Sequence, residues 1–289
     1  MPDPQQELDL GHECERRGDL AAAAAHYRAA AADAADEPAL ASEALRRAAV
    51  MHHLLSDWGE ALSTAERAAA VAEEAGLRDA YAAALNAAGI VHQARGNFEA
   101  ARRTFEQVLG LAPSDRVRGV ALQNLGAISA QGGSWEVARR RFEQSRRCFQ
   151  RAGYALGEAF AVNNYGRAAL DHGNHRLAAE LLSEATAFAA RHGDRSLHAL
   201  ASLNYAEAIF RLGDRAESAR LAETALEVFT ATGNTWRRVE ALRLLGDLAQ
   251  GDGDGPRAAQ RWREGLELAE QIGAVREAES LKERLAAAS

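Results

Sequence analysis

The stretch GRAALDHGNHRLAAELL, residues 166–182, contains the signals that decide the fold. Gly173-Asn174 is typical of the end of one helix and the start of the next, because glycine tolerates a left-handed backbone and an asparagine side chain caps the first amides of a helix. A small residue precedes this turn by seven positions, and a small and a large apolar residue follow the turn glycine by five and nine positions, at Gly166, Ala178 and Leu182. The stretch therefore predicts a helical hairpin.

The same turn recurs along the chain, at Gly18-Asp19, Ser56-Asp57, Gly96-Asn97, Gly133-Ser134, Gly173-Asn174, Gly213-Asp214 and Gly253-Asp254. Successive turns are 37 to 40 residues apart. The residue nine positions after the turn is often large and apolar, as at Tyr27, Phe105, Phe142, Leu182 and Trp262. A second set of helix-ending residues lies between the turns, at Gly76, Pro113, Gly153, Gly193, Gly233 and Gly273. A fixed period of this length is typical of a repeat architecture.

A ladder of small residues lies seven positions before each turn, at Gly11, Ala49, Gly89, Gly126, Gly166, Ala206 and Gly246. Glycine inside a helix costs about 1 kcal/mol relative to alanine, so its recurrence at one position needs a physical reason. We expect that two helix backbones approach each other closely at each of these positions.

The combination of a small residue, a Gly-Asp or Gly-Asn turn, an alanine and an aromatic residue resembles the tetratricopeptide repeat. The period is longer than the common unit of about 34 residues, and is similar to the longer-helix variety of polarity adaptors, bacterial peptide-sensing regulators and phosphatases, and the sensor arms of bacterial transcription activators. The resemblance covers residues 4–274 and implies an all-α fold, an α-solenoid coiled as a right-handed superhelix. We expect one array over residues 1–289, with seven hairpins at 4–41, 42–81, 82–118, 119–158, 159–198, 199–238 and 239–274, and a capping helix at 275–289.

Composition and charge limit the classes of binding partner that the protein can have. A net charge of −7 and a pI near 5.8 argue against nucleic acid and against an anionic membrane surface. No apolar run approaches the roughly 18–20 residues of a membrane-spanning helix, and the first residues lack the pattern of a signal peptide. Cys14 and Cys148 stand alone in helical surroundings, which favours a reducing compartment. We therefore expect a cytoplasmic protein, without nucleic-acid or membrane partners, and the alanine and arginine excess suggests a bacterial source.

A polar stripe on the first helix of several hairpins is the predicted partner site. Residues three and four apart share one helix face, and in this family the first helix lines the concave surface. An asparagine lies nine positions before three successive turns, and its amide can pair with a peptide backbone of any sequence because it carries both a donor and an acceptor. The alternative is that these amides satisfy neighbouring helix carbonyls or face water. The predicted partner-binding residues are Asn124, Gln131, Asn164, Arg167, Asp171, Asn204, Glu207, Arg211 and Asp247.

Other reactive residues give weaker signals. His52, His53 and His92 could approach one another but lack a third-ligand pattern and a supporting shell, so buried or surface histidines are favoured over a metal site. Cys148 has arginine neighbours that could lower its pKa, yet a packed cysteine is the favoured interpretation. The basic cluster at residues 139–147 is interpreted as a solvated helix face, with an acidic docking partner as the alternative. No nucleophile–base motif, metalloprotease motif or phosphate loop is found, so we expect no catalytic residue, metal or cofactor.

The repeats leave two functions open. The favoured function is a non-enzymatic scaffold or adaptor that holds an extended protein or peptide segment in its groove. The alternative is a peptide- or ligand-responsive sensor that regulates an enzyme or a transcription factor in trans. Self-association is a further prediction, because the four tryptophans need burial, at Trp58, Trp135, Trp236 and Trp262.

Overall fold

The computed structural model describes residues 3–111 and 113–288, and in these ranges the regular structure is entirely helical. The helices are α1 (Pro4–Arg17), α2 (Leu20–Asp33), α3 (Pro38–Leu54), α4 (Trp58–Glu74), α5 (Arg78–Ala94), α6 (Phe98–Gly110), α7 (Asp115–Gln131), α8 (Trp135–Arg151), α9 (Ala155–Asp171), α10 (His175–Arg191), α11 (Arg195–Leu212), α12 (Arg215–Ala231), α13 (Thr235–Gly251), α14 (Gly255–Gln271) and α15 (Val275–Ala287). The predicted all-α fold of tetratricopeptide-type helical hairpins is confirmed. Odd-numbered helices up to α13 are the first helices of the hairpins, and even-numbered helices are the second.

The turns form because their residues satisfy both helix ends. The glycine of each turn adopts a positive φ, and at the one turn that lacks glycine Ser56 takes the same left-handed conformation, with φ 61°. The next residue caps the second helix in most hairpins, as when the Asp19 carboxylate accepts a hydrogen bond from the Ala22 amide at 3.0 Å. Asn174 accepts one from Leu177 at 3.3 Å in the same way. Unpaired backbone groups at the end of the first helix and at the start of the second are thus satisfied within five residues of sequence.

The helices group into two compact units, one ending at Glu158 and one beginning at Ala159. In unit 1, α3 contacts α5 and α5 contacts α7, so successive first helices lie side by side, and each second helix packs on its own first helix. In unit 2, α11 contacts α13, and α15 packs against α14. No helix in the described ranges is both long and apolar enough to span a bilayer.

The ladder of small residues makes a different contact from the one predicted. A Cβ added to Gly89 would lie 2.6 Å from the Phe105 ring, and one added to Gly126 would lie 3.1 Å from the Phe142 ring. The close approach is therefore between the backbone of the first helix and a large side chain of the second helix, and not between two backbones. The same contact joins Gly11 to Tyr27, Gly166 to Leu182 and Gly246 to Trp262.

Two hairpins have alanine at both positions. Where the small residue is Ala49 or Ala206, the opposing position is Ala65 or Ala222, and the members of each pair lie in one buried cluster. Glycine is thus paired with a large side chain and alanine with alanine. Because protein interiors are close-packed, the missing side chain of the glycine leaves the space that the large side chain fills.

Candidate partner-binding surface

The first helices of unit 2 bring most of the predicted site together. Three residues at equivalent positions of successive hairpins, six before the turn, are Arg167 on α9, Glu207 on α11 and Asp247 on α13. Arg167 donates a hydrogen bond to Glu207 at 2.9 Å and another to Asp171 at 2.7 Å. We call the part of α9 from Ala159 onward, together with α11 and α13, the first-helix surface of unit 2.

A network of charges connects the helices of this surface. Arg243 of α13 reaches Glu207 at 3.2 Å and Asp247 at 3.4 Å. Arg284 of α15 donates to both carboxylate oxygens of Asp247, at 2.6 and 3.2 Å, and the indole Nε1 of Trp262 donates to Asp247 at 3.1 Å. Glu207 and Asp247 are therefore each held by an arginine of a different helix, and Asp171 is held by Arg167 of its own helix.

Glu207 is the most enclosed charge of the surface, with 9% of the residue exposed. Burial alone would raise its pKa, but Arg243 and Arg167 outweigh burial and hold the pKa of Glu207 below its ordinary value. Burial likewise acts against the charged form of Arg167, while Glu207 and Asp171 raise the pKa of its guanidinium. Glu207 therefore stays ionised and acts as the anionic centre of the surface.

The predicted asparagines do not share one environment. Asn204 is 5% exposed and donates to the Asn163 side chain of α9 at 3.0 Å. Asn163 in turn donates to Asn164 at 3.2 Å, and Asn164 is half-buried. Asn124 belongs to unit 1 and donates to the Val120 carbonyl of its own helix at 3.0 Å. Asn124 thus bonds a helix carbonyl, as the alternative interpretation expected, whereas Asn204 bonds another amide side chain and Asn164 remains partly open.

Two depressions border this surface. The first, which we call the Arg167 depression, has a volume of about 430 Å³ and is lined by Arg167, Leu170, Asp171, Gly173, His175, Glu207, Arg211, Arg243 and Ser280. The second, the Trp262 depression, has a volume of about 420 Å³ and is lined by Phe210, Arg211, Asp247, Gln250, Trp262, Arg284, Ala287 and Ala288. Arg211 lines both, and it is exposed, as are Asp171 and, in unit 1, Gln131.

Unit 1 has a cleft of its own, between α3, α5 and α7. Its volume is about 510 Å³, and apolar side chains such as Val50 and Ile90 line it together with polar ones. Asn86 lies in its wall, 4% exposed, and donates to the Val117 carbonyl at 3.0 Å, while its Oδ1 has no partner among the described residues.

The other reactive residues lie in ordinary surroundings. Cys148 is 2% exposed, and burial raises the pKa of its thiol, as expected for a packed cysteine. In the basic cluster, Arg139 pairs with Glu136 and Glu143, and Arg141 donates to the Leu125 carbonyl. Within the described part of the chain, no group of three or more His, Cys, Asp or Glu side chains could hold a metal ion.

Tryptophan burial differs from residue to residue. Trp262 is 3% exposed, whereas Trp58 and Trp236 are 40% and 43% exposed. The latter two occupy the first turns of α4 and α13, in separate units. The prediction of self-association remains a prediction.

Sequence reasoning missed three contributors to the surface, namely Asn163, Arg243 as a partner of Glu207, and Arg284. Asn163 precedes a predicted asparagine by one position, and a stripe of residues three and four apart does not include it, because adjacent residues on a helix face different directions. Arg284 lies 40 residues after Leu244 and 80 after Asn204. It therefore occupies in the capping helix the position that Leu244 and Asn204 occupy in their hairpins, and this spacing could have indicated it.

Comparison with known proteins agrees with the fold. The family model of the tetratricopeptide repeat matches residues 40–114, which confirms the predicted resemblance. No curated protein matches the chain. Among solved structures, the fold is similar to that of the Rap conjugation gene regulator of plasmid pLS20 in complex with the Phr* peptide (TM-score 0.73, 16% identity, 94% of this chain and 75% of that chain). It is also similar to the apo form of the quorum sensor NprR from B. thuringiensis (0.71, 13%, 92% and 77%) and to the apo form of RapI (0.67, 12%, 94% and 99%).

Proposed function

We propose that the protein is a non-enzymatic scaffold that binds an extended segment of another polypeptide on the first-helix surface of unit 2. The observation that carries this proposal is the set of open polar groups along that surface. Asn164 is half-buried, and Asp171 and Arg211 are exposed beside the Arg167 depression. These side chains offer an amide, an acceptor and a cation, which suit a peptide backbone and its charged side chains.

The surrounding residues support the proposal by holding these groups in place. Arg167 fixes the Asp171 carboxylate at 2.7 Å, and Asn163 fixes the Oδ1 of Asn164 at 3.2 Å. Side chains that are already ordered lose less conformational entropy when a ligand binds, which raises affinity. Stacked helical hairpins commonly present such surfaces to extended ligands.

The test is a double variant, Asn164→Ala with Asp171→Ala, used as bait against an extract of the source organism. We expect it to lose the polypeptide that the wild-type protein captures, and to bind the isolated peptide roughly tenfold or more weakly, because one neutral and one charged hydrogen bond are removed. Asn204 is left unchanged, because replacing it would also remove its buried hydrogen bond to Asn163, and a folding defect could then not be distinguished from a binding defect.

A matched control makes the same chemical change on a second helix. Gln260 and Glu267 are exposed on α14, so replacing both with alanine also removes one amide and one carboxylate. We expect the control to capture the partner as the wild type does. Equal capture by the Asn164/Asp171 variant would show that the partner binds elsewhere.

A second function is favoured by solved structures of similar fold, which include a quorum sensor and a regulator in complex with a peptide. We propose as the alternative that the bound peptide is a signal, and that the protein then regulates an enzyme or a transcription factor in trans. The two functions differ in what the peptide does. In the sensor, adding the peptide changes the binding of a second captured protein, whereas in the scaffold the two bind independently.

A further inference from the structure

The arginines and acids of the unit 2 network do not balance, and the excess is one guanidinium. The arginines are Arg167, Arg211, Arg243 and Arg284, and the acids are Asp171, Glu207 and Asp247. Four cations against three anions leaves a charge of +1. This count rests on the same surface as the proposed function and concerns the chemistry of its ligand.

Distances show which arginine carries the excess. Glu207 lies 2.9 Å from Arg167 and 3.2 Å from Arg243, but 3.9 Å from Arg211. The other two acids are held by Arg167 and Arg284. The side chain of Arg211 is 46% exposed, compared with 18% for Arg243 and 27% for Arg284. Arg211 is therefore the arginine of this network with the longest carboxylate contact and the most exposed side chain.

The surroundings of Arg211 are apolar on one side. Its guanidinium carbon lies 5.8 Å from the centroid of the Phe210 ring. Phe210 lines the Trp262 depression together with Trp262, Ala287 at the end of α15, Ala288 just beyond it, and the polar side chains of Asp247, Gln250 and Arg284. On the other side, Arg211 lines the Arg167 depression. An anion bound at Arg211 would thus have apolar surface directly beside it.

We propose that this surface selects a peptide that places a carboxylate on Arg211 and an adjacent large apolar side chain in the Trp262 depression. Arginine binds carboxylates through two parallel N–H donors, which gives direction as well as charge. The volume of about 420 Å³ is ample for an aliphatic or aromatic side chain. The carboxylate is either the C-terminus of the peptide or the side chain of an Asp or Glu.

The probe is a set of fluorescent pools of short randomised peptides, which the full-length protein binds in an anisotropy titration. One pool ends in leucine with a free carboxylate, a second is the same pool amidated, and a third is amidated but has an internal Glu-Leu pair. We expect the first or the third pool to bind, and the second to bind about tenfold more weakly or not at all, since a hydrogen bond between charged groups is lost. The pool that binds identifies the source of the carboxylate.

Variants assign the effect to Arg211. We expect Arg211→Gln to lose the preference for carboxylate pools and Arg211→Lys to retain part of it, because the charge remains without the paired donors. Arg191 is exposed near the end of α10 and lines neither depression, so Arg191→Gln is the control that removes the same charge. Circular dichroism confirms that each variant is folded.

The outcomes separate this inference from the proposed function. Equal binding of the uncharged and carboxylate pools, or an unchanged preference in Arg211→Gln, would overturn the carboxylate site while leaving peptide binding in place. Binding of none of the pools, when the wild-type protein captures a polypeptide that the Asn164/Asp171 variant loses, would overturn the carboxylate site alone. Weaker binding of the carboxylate pools at high ionic strength is a further expected result, because exposed charges are screened.

Discussion

At the scale of the residue, the glycines of the first helices are explained by the side chains opposite them. Gly89 lies beneath the ring of Phe105, and there is no space between them for a methyl group. Gly59, in the first turn of α4, has no atom within 4 Å of its added Cβ. The same substitution should therefore have opposite effects at the two positions.

We predict that Gly89→Ala destabilises the protein by about 1–3 kcal/mol, the usual cost of overpacking a core. Gly59→Ala should stabilise it by roughly 0.5–1 kcal/mol, because alanine is the better helix former. Urea unfolding followed by circular dichroism measures both. In a Phe105→Ala background, the penalty of Gly89→Ala should shrink or vanish, since the ring that it would meet is gone. An undiminished penalty there would refute this steric explanation.

At the scale of the element, the ion pairs of Glu207 join three first helices and make their packing sensitive to pH. Glu207 is held by Arg167 of α9 and Arg243 of α13, and these charges keep its pKa below the value of an unfolded glutamate. The folded state therefore binds fewer protons than the unfolded state in the acidic range. The stabilisation from Glu207 is present at neutral pH and is lost as the pH falls below about 4.3 towards the folded pKa.

We predict that Glu207→Gln lowers the free energy of unfolding at neutral pH by on the order of 3 kcal/mol, because two arginines lose their buried partner. The difference from the wild type should shrink as the pH falls through the acidic range. Glu217→Gln is the control, since Glu217 pairs with Arg220 on the exposed face of α12 and should matter little. Denaturation curves measured from neutral to acidic pH test this, and a constant gap between variant and wild type would contradict it.

The helices and turns were predictable because their signals are local. A glycine with positive φ ends a helix and an Asp or Asn caps the next one through contacts within a few residues. Gly173 and Asn174 therefore predict their turn independently of the rest of the fold. The contacts of the site depend on which residues of different hairpins lie side by side. The pairing of Asn204 with Asn163, 41 positions away, uses one donor of a predicted site residue, and neither residue alone indicates this contact.

The ladder of small residues is a second case in which the sequence did not reveal a contact between helices. Its spacing correctly indicated a close approach, but a repeat of small residues does not reveal what lies opposite. The large residues nine positions after each turn were visible in the sequence, and matching Gly89 with Phe105 but Ala49 with Ala65 would have identified side-chain contact in place of backbone contact.

At the scale of the whole molecule, the description of residues 1–289 as one array remains a prediction, while the structure describes two compact units that meet in sequence at Glu158 and Ala159. In a helical-repeat protein each hairpin packs mainly on its neighbours, so stability is a sum of local terms. Damage to one hairpin should then open that hairpin and its neighbours first. Gly246→Ala is suited to test this, because Gly246 on α13 lies against the Trp262 indole of α14.

We predict that Gly246→Ala increases native-state amide hydrogen exchange in α13, α14 and α15 and leaves α1 to α4 at the wild-type rate, because opening is local and hairpins far along the chain keep their own contacts. Exchange followed by mass spectrometry at neutral pH resolves this helix by helix. Gly89→Ala is the reciprocal variant. We expect it to speed exchange around α5 and α6 and to leave α13 to α15 at the wild-type rate. Uniform acceleration of exchange in every helix by either variant would mean that the chain opens as one cooperative body. The first-helix surface of unit 2 would then lose its order together with the whole protein, and not hairpin by hairpin.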